Sequence, residues 1–259
     1  MASTLYFPNE TSPHIKLVAY NPQKPRNFLL EFVSPPDNRL TLAFLDSFNK
    51  ALDHIEAQLA MVPKGDRKSG GASLITASSG KFYSNGLSIE ELMKYPNHFG
   101  NALTPVLARF MNLGLPTIAA VNGHAFAGGC MIALAHDYAV MNSDKGFMCL
   151  NEVDLDFQLP VGIPELIRSK ASAPKFVTKM ALEGHRFSGK EALEAGFVDY
   201  AVPSDKVIEV AKQIADKVSS KVIGNGKTVF LIKAERNRHV VEMMMGRQNE
   251  VPASYLSKL

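Results

Sequence analysis

Apolar positions along the chain follow two rhythms. Three short β-rich runs, NFLLEFV (27–33), ASLITAS (72–78) and PTIAAVN (116–122), are each bounded by Pro, Gly, Ser or Asn and predict buried strands. Between the first two, TLAFLDSFNKALDHIEAQLAM places apolar residues at 42, 45, 48, 52, 55 and 59, a spacing of three or four that predicts an amphipathic helix. A second periodic segment, NALTPVLARFMNL (101–113), precedes the third strand, so strands alternate with helices in the right-handed crossovers of an α/β protein. Beyond residue 160 the pattern shortens. IPELIRSK, KFVTKMALEG and GKEALEAG predict short helices, and PSDKVIEVAKQIADKVSS a longer one with Ser204 or Asp205 near its cap. The tail from about 224 to 250 is helical by pattern, and PKGDRKSGG (63–71), polar and glycine-rich, predicts a mobile surface loop.

Composition narrows the class of protein. With 259 residues and 46% hydrophobic content the chain can bury a large core. A net charge of +3, with both signs mixed throughout, is too weak to imply a nucleic-acid partner but is compatible with acidic small molecules. The only two cysteines, Cys130 and Cys149, lie in apolar surroundings and read as packing residues of a reducing compartment. The N-terminal stretch MASTLYFPNETSPHIKL lacks the basic and apolar regions of a secretory leader, and no window reaches the length of a membrane span. The final Ser257, Lys258 and Leu259 form the S-K-L address read by the peroxisomal import receptor, so a peroxisomal location is expected.

Three stretches can carry chemistry. In AFAGGCMIALAHDYAVM (125–141) two glycines precede an apolar run that reads as a helix, where a Ser, Thr, Asp or Asn cap is usual. The N–H groups of Gly128, Gly129 and Cys130 are then left for another acceptor, and a helix start favours developing negative charge. The plainer alternative is that glycine only permits close helix–strand packing. In SSGKFYSNGLSIEEL (78–92) a strand end, a glycine turn and a helix start recur, with Ser88 as cap ahead of Glu91 and a second free N–H near Gly86 and Leu87. Two such donors converging on one oxygen would form an oxyanion hole. In GFMCLNEVDLDFQLPVG (146–162), Glu152, Asp154 and Asp156 lie in an apolar stretch where desolvation raises a carboxyl pKa toward that of a neutral-pH base. Spacing does not choose among the three.

Other candidates carry less. His124 beside the glycines is more economically a turn residue, and His136 and Asp137, late in the following helix, suit packing and polar anchoring better than a catalytic dyad. No Cys or His cluster has metal-ligand spacing, and neither a G-x-x-x-x-G-K-[ST] loop nor a strand-linked G-x-G-x-x-G occurs.

The three stretches, in this order, resemble the crotonase superfamily of enoyl-CoA hydratases and isomerases. KFYSNGLSIEEL is similar to that family's first oxyanion loop, PTIAAVNGHAFAGGCMIALAHDYAV to its second and RFSGKEALEAGFVDYAVP (186–203) to a later signature. The resemblance spans roughly residues 28–220. LNEVDLDFQLP with the terminal SKL looks most like the peroxisomal delta-3,delta-2-enoyl-CoA isomerases of the family.

This likeness implies a spiral core of repeated β-β-α units (1–200), a C-terminal helical region (201–259) and assembly as a trimer or a pair of trimers. It implies an acyl-CoA thioester substrate and no separate cofactor, coenzyme A being part of the substrate. The oxyanion donors would be the N–H groups of Leu87 and Gly128, with the adenine of CoA against the loop of Asn85, Gly86, Leu87 and Ser88, with Gly129 and Met131 as further substrate-binding positions, and with Arg39 a contact for the CoA phosphates. Hydratases of the family use two glutamates; here Met131 stands at the first place and Glu152 at the second. One carboxylate is enough to move a proton from C2 to C4, whereas hydration needs two groups, so isomerisation is expected. Dienoyl-CoA isomerases of the family add an aspartate, which keeps Asp154 and Asp156 as candidates. A hydratase and a non-catalytic acyl-CoA-binding protein are the other readings.

Overall fold

The computed structural model describes residues 4–68 and 71–246 and, for 96–101, the backbone only. The chain opens with β1 (Thr4–Phe7), β2 (Ile15–Ala19) and β3 (Asn27–Phe32), then α1 (Leu42–Ala60). Three similar turns follow. The first is β4 (Ser73–Ser78), β5 (Phe82–Ser84), α2 (Ile89–Lys94) and α3 (Pro96–Met111); the second is β6 (Thr117–Val121), β7 (His124–Phe126) and α4 (Gly128–Leu134). The third is β8 (Tyr138–Asn142), β9 (Met148–Cys149), a 3-10 turn at Val153–Leu155 and α5 (Ile163–Lys170). The remainder is α6 (Pro174–Leu182), α7 (Gly189–Glu194), β10 (Tyr200–Val202), α8 (Val207–Ser219), α9 (Lys227–Arg236) and α10 (Arg238–Met245).

Each turn sends its first strand to one sheet and its second to another. The large sheet has the order β1-β2-β3-β4-β6-β8-β10 and the small one β5-β7-β9. The first two pairings of the large sheet are antiparallel; from β3 to β10 they are parallel, as are both pairings of the small sheet. This repetition is the β-β-α spiral that the resemblance implies. Both faces of the parallel sheet are covered, which is why β4 (SLITAS) and β6 (TIAAV) are buried along nearly their whole length instead of alternating with exposed polar residues. On one face Ile75, Ile118 and Val140 meet Val207, Ala211 and Ile214 of α8. On the other, Leu74, Ala119 and Val121 join the main core with Phe44, Phe48 and Phe110. Helix α1 starts where its pattern does, with the Thr41 hydroxyl accepting the Phe44 N–H at 3.0 Å.

Two elements differ from the sequence-based expectation. The apolar run after the glycines does not stay helical: α4 ends at Leu134, and Tyr138–Asn142 is strand β8. Both pieces are buried, so no polar face marks the change of period. His136 and Asp137 therefore lie in the connecting turn. Ser204 and Asp205 are in a 3-10 turn rather than capping a helix, and α8 begins at Val207 with no side-chain cap. The Ser204 hydroxyl instead meets the Asn142 amide at 3.2 Å. Within the segment expected as a mobile loop Asp66 C=O accepts the Gly224 N–H, and just after it Ala72 N–H donates to Ser219 C=O; residues 69–70 lie outside the described residues. The terminal Ser257, Lys258 and Leu259 lie outside the described residues. Among the described residues no helix is long and apolar enough to cross a membrane.

Candidate active site

The first loop leaves β5 and passes through Asn85, Gly86 and Leu87 to the Ser88 cap of α2, whose hydroxyl accepts the Glu91 N–H. Its backbone donors can be followed one by one. Asn85 N–H donates to Asp37 C=O, Gly86 N–H to the Ser84 hydroxyl and Ser88 N–H to Leu40 C=O. Leu87 N–H has no acceptor among the described residues. Leu87 pairs with Leu40 in an isolated parallel bridge in which Leu40 N–H donates to Gly86 C=O, so the Leu87 N–H faces away from that partner. The Glu91 carboxylate does not close a capping box but accepts the Leu42 N–H at 2.8 Å, joining α2 to the start of α1.

The second loop leaves β7 and enters α4. Ala127, at the N-cap, has φ +48° and ψ −122°, a backbone region nearly reserved for glycine, and supplies no side-chain cap. Its N–H donates to Cys149 C=O and its carbonyl accepts the Met131 N–H. The N–H groups of Gly128, Gly129 and Cys130 meet no acceptor among the described residues, as the missing cap predicts. The two loops touch. A Cβ on Gly86, which has φ +81°, would lie 2.8 Å from the Ala127 Cβ and 3.3 Å from the Gly128 nitrogen. One on Gly129 would lie 2.5 Å from the Ser84 carbonyl oxygen. Glycine at both positions thus lets the two strand–helix turns approach closely, Gly86 against Ala127 and Gly128, and Gly129 against Ser84.

The third element is the 3-10 turn after β9. Glu152, at its start, is 8% exposed, while Asp154 and Asp156 are exposed to solvent. Glu152 Oε2 is buried with no hydrogen-bond partner among the described residues. Burial pushes its carboxyl up to about 7, against the lowering effect of a backbone hydrogen bond. After burial, its charge contributes to raising the thiols of Cys130 in α4 and Cys149 in β9. Both cysteines are buried and pushed above the ordinary thiol value chiefly by burial, the state of packing residues rather than nucleophiles. Met131, one turn into α4, is fully buried in the main core.

Of the remaining candidates the histidines and Asp137 have structural partners of their own, and Arg39 is held against the first loop. His124 packs among the rings of Phe82, Phe126 and Phe147, and burial followed by Lys81 and Arg186 lowers its pKa. His136 is fully buried between the Thr76 hydroxyl at 2.8 Å and Ile132 C=O at 2.7 Å, and desolvation lowers it to about 3. Asp137 accepts from the Thr117 N–H and is paired with Lys233 and Arg236 of α9, a structural anchor. Arg39 faces the first loop: its Nε meets Asp37 at 3.0 Å and its Nη1 donates to the carbonyls of Asn85 at 2.8 Å and Leu87 at 3.2 Å. Among the described residues no group of three or more His, Cys, Asp or Glu is placed to hold a metal ion.

Residues that sequence reasoning missed are those behind the loops. Asp37, Asn38 and Ser84 hold the first turn: the Ser84 hydroxyl donates to Asn38 C=O, and the Asn38 amide donates to the carbonyls of Phe82 and Tyr83. PPDN announces a turn, and Asn38 has φ +53°, but nothing local shows which distant segment it will hold.

A spiral of β-β-α turns whose first two repeats pack glycine-bearing strand–helix turns together, and whose third carries a buried carboxylate, is a fold of the crotonase type. The model for the enoyl-CoA hydratase/isomerase family matches residues 28–246, and the chain belongs to that family. It is 32% identical over 192 residues to enoyl-CoA delta isomerase 3 of Arabidopsis thaliana, covering 70% of this chain and 81% of that protein. To the peroxisomal enoyl-CoA delta isomerase 1 of the same plant it is 30% identical over 200 residues, covering 76% and 80%. Among solved structures it is similar to human mitochondrial delta3-delta2-enoyl-CoA isomerase, with a TM-score of 0.75 and 23% identity over 88% of this chain and 85% of the other.

Proposed function

We propose that the protein moves the double bond of a 3-enoyl-CoA to the 2 position. The observation that carries this reading is the carboxylate of Glu152, the one buried acid oxygen without a partner among the described residues. Glu152 is the one acid of its loop withdrawn from water, and Met131 occupies the α4 position where a hydratase of the family would carry a second glutamate. The thioester oxygen sits between the N–H groups of Leu87 and Gly128, which makes the C2 proton acidic by stabilising the enolate. Glu152 takes that proton and returns it to C4, ending ionised as it began. With a pKa of about 7 it can accept and release the proton near neutrality. The apolar Met131 keeps water from the face where hydration would begin.

No cofactor beyond the coenzyme A of the substrate is needed for this proton transfer. The same proposal includes assembly as a trimer or a pair of trimers, which light scattering at working concentration tests. It also includes a peroxisomal location through Ser257, Lys258 and Leu259; a tagged copy lacking Leu259 should lose import, and its retention in peroxisomes would refute the address.

The direct test gives purified protein 3-hexenoyl-CoA and follows the ultraviolet absorbance of the conjugated thioester, with products resolved by mass. Conjugation without a gain of water is expected. A hydrated product from the 2-enoyl ester would assign a hydratase, and binding without turnover a carrier.

A further inference from the structure

We propose that Arg39 is a positioning residue for the Leu87 N–H donor, acting through the backbone on either side of Gly86, and not a contact for the CoA phosphates. The inference rests on the isomerase reading of the site. Gly86 must be glycine for the two loops to meet, yet glycine is the residue that leaves a backbone freest to turn. The peptide that carries the Leu87 N–H is held at its carbonyl side by Leu40 N–H, and the carbonyls of the peptides before Gly86 and after Leu87 are what still need a partner if that direction is to be kept.

Arg39 spans Gly86. Nη1 donates to the carbonyl before Gly86, that of Asn85, at 2.8 Å and to the carbonyl after it, that of Leu87, at 3.2 Å. The guanidinium is itself oriented by Asp37, whose Oδ2 receives Arg39 Nε at 3.0 Å and the Asn85 amide at 2.7 Å. The Asp37 carbonyl receives the Asn85 N–H at 2.9 Å, so one residue holds both the loop and its clamp. The next residue, Leu40, accepts the Ser88 N–H. Four consecutive residues, Asp37 to Leu40, thus engage the strand end and turn from Phe82 to Ser88 and leave Leu87 N–H pointing elsewhere. A planar fork with several donors in fixed directions can hold two carbonyls and a carboxylate together; a lysine ammonium on a flexible stem cannot reproduce that set.

The test compares wild type, Arg39→Gln, Arg39→Lys and Asp37→Asn on two substrates, 3-hexenoyl-CoA and the N-acetylcysteamine thioester of 3-hexenoic acid, which carries no phosphate. Removing an oxyanion donor costs about 10²–10³ in kcat, so a misdirected one should cost roughly 10- to 100-fold. That fall in kcat is expected by the same factor on both thioesters in Arg39→Gln, with KM for the CoA ester within about two-fold of wild type, no rescue by Arg39→Lys, and a smaller loss in Asp37→Asn. A loss confined to the CoA ester and expressed in KM would make Arg39 a phosphate contact and overturn the proposal. Unchanged kcat on both esters would overturn it as well.

A readout free of turnover accompanies the kinetics. The carbonyl stretch of bound, carbonyl-labelled butanoyl-CoA, a saturated thioester that cannot isomerise, should shift down on binding to wild type and recover part of that shift in Arg39→Gln. An equal shift in both proteins sinks the positioning role. Wild type that shifts the carbonyl normally but leaves 3-hexenoyl-CoA unchanged sinks the isomerase reading while the stretch still decides Arg39. Thermal melts alongside show which variants are folded, and Asp37→Asn, nearly isosteric, keeps the comparison available if Arg39→Gln is not.

Discussion

Glu152 and Asp137 are both buried carboxylates, 8% exposed as a residue in the first case and 7% exposed at the side chain in the second, and their surroundings send them in opposite directions. Around Asp137 burial would raise the pKa, but Lys233 at 2.6 Å and Arg236 outweigh it and hold the carboxyl at about 2. Around Glu152 burial raises the pKa to about 7, with one oxygen left without a partner. Desolvation is common to both. Partners decide whether a buried acid becomes an anchor or a base. Burial also works on the other half of the anchor, pulling Lys233 below its ordinary value even with Asp137 beside it. The ion pair therefore specifies where α9 docks more than it adds net stability.

The largest expected effect separates the two acids by activity. Glu152→Gln should lower kcat on 3-hexenoyl-CoA by about 10²–10⁴, the range of a lost general base, with little change in affinity for the thioester. Asp137→Asn should leave kcat per folded molecule within about three-fold, as measured by the same absorbance assay on protein that has passed a melt. A comparable kcat loss in both variants would break the comparison. The next effect reverses the order. Asp137→Asn should cost about 3–5 kcal/mol in a denaturant melt, because the buried Lys233 keeps its charge and loses its counter-charge. A cost below about 1 kcal/mol would show that Arg236 and solvent replace the pair.

Parts of the site were legible because backbone requirements leave marks in sequence. Gly86, Gly128 and Gly129 stand at strand–helix junctions where a capping residue or a bulkier side chain is usual, and that pattern located both donor loops. The strands through Leu74 and Ile118 were legible because a sheet covered on both faces carries small and apolar residues on both sides of the strand. The same property hid the end of α4, since a buried helix and a buried strand joined by Ala135–Asp137 share one apolar run. Nor could spacing choose Glu152 over Asp154 and Asp156. That choice belongs to a 3-10 turn closed by Asp156 at φ +57°, which turns one acid inward and leaves two in water. The Asp37–Leu40 support and the strained Ala127 were invisible for a related reason: each depends on a segment distant in sequence or on a φ that alanine does not announce.

Titration sharpens the comparison further, and the two acids give opposite signs. Glu152 binds its proton more tightly in the native state than at its ordinary value of 4.5, so it favours the folded state fully below that value and loses this contribution as pH rises through about 7. The rise corresponds to roughly 3 kcal/mol once the group is ionised. Glu152→Gln should accordingly match wild-type stability near pH 4.5 and exceed it near pH 8.5. Asp137, with its pKa depressed, contributes above its ordinary value of 3.8 and loses that contribution as pH falls through about 2, outside the range where Glu152 changes. Activity should follow the base: kcat/KM should fall about ten-fold per pH unit below pH 7 and level off above it. An acid limb centred near 4.5 would mean that Glu152 is solvated in the working enzyme.

The smallest expected effect tests whether burial alone selects the base. Asp154 and Asp156 are two and four residues from Glu152 and carry the same functional group, but both are exposed, and Asp154 approaches Gly184 at the turn's outer side. A carboxylate that faces bulk water stays solvated and does not take a proton from carbon in a site that excludes solvent. Asp154→Asn and Asp156→Asn should therefore change kcat by less than about two-fold and leave the acid limb of the pH profile in place. Because Asp156 closes the turn in the left-handed region, which Asn also tolerates, its replacement by Asn keeps the backbone and removes only the charge. A large kcat loss in either variant would assign the site a second acid and move the chemistry from a single-base shuttle to a two-carboxylate mechanism.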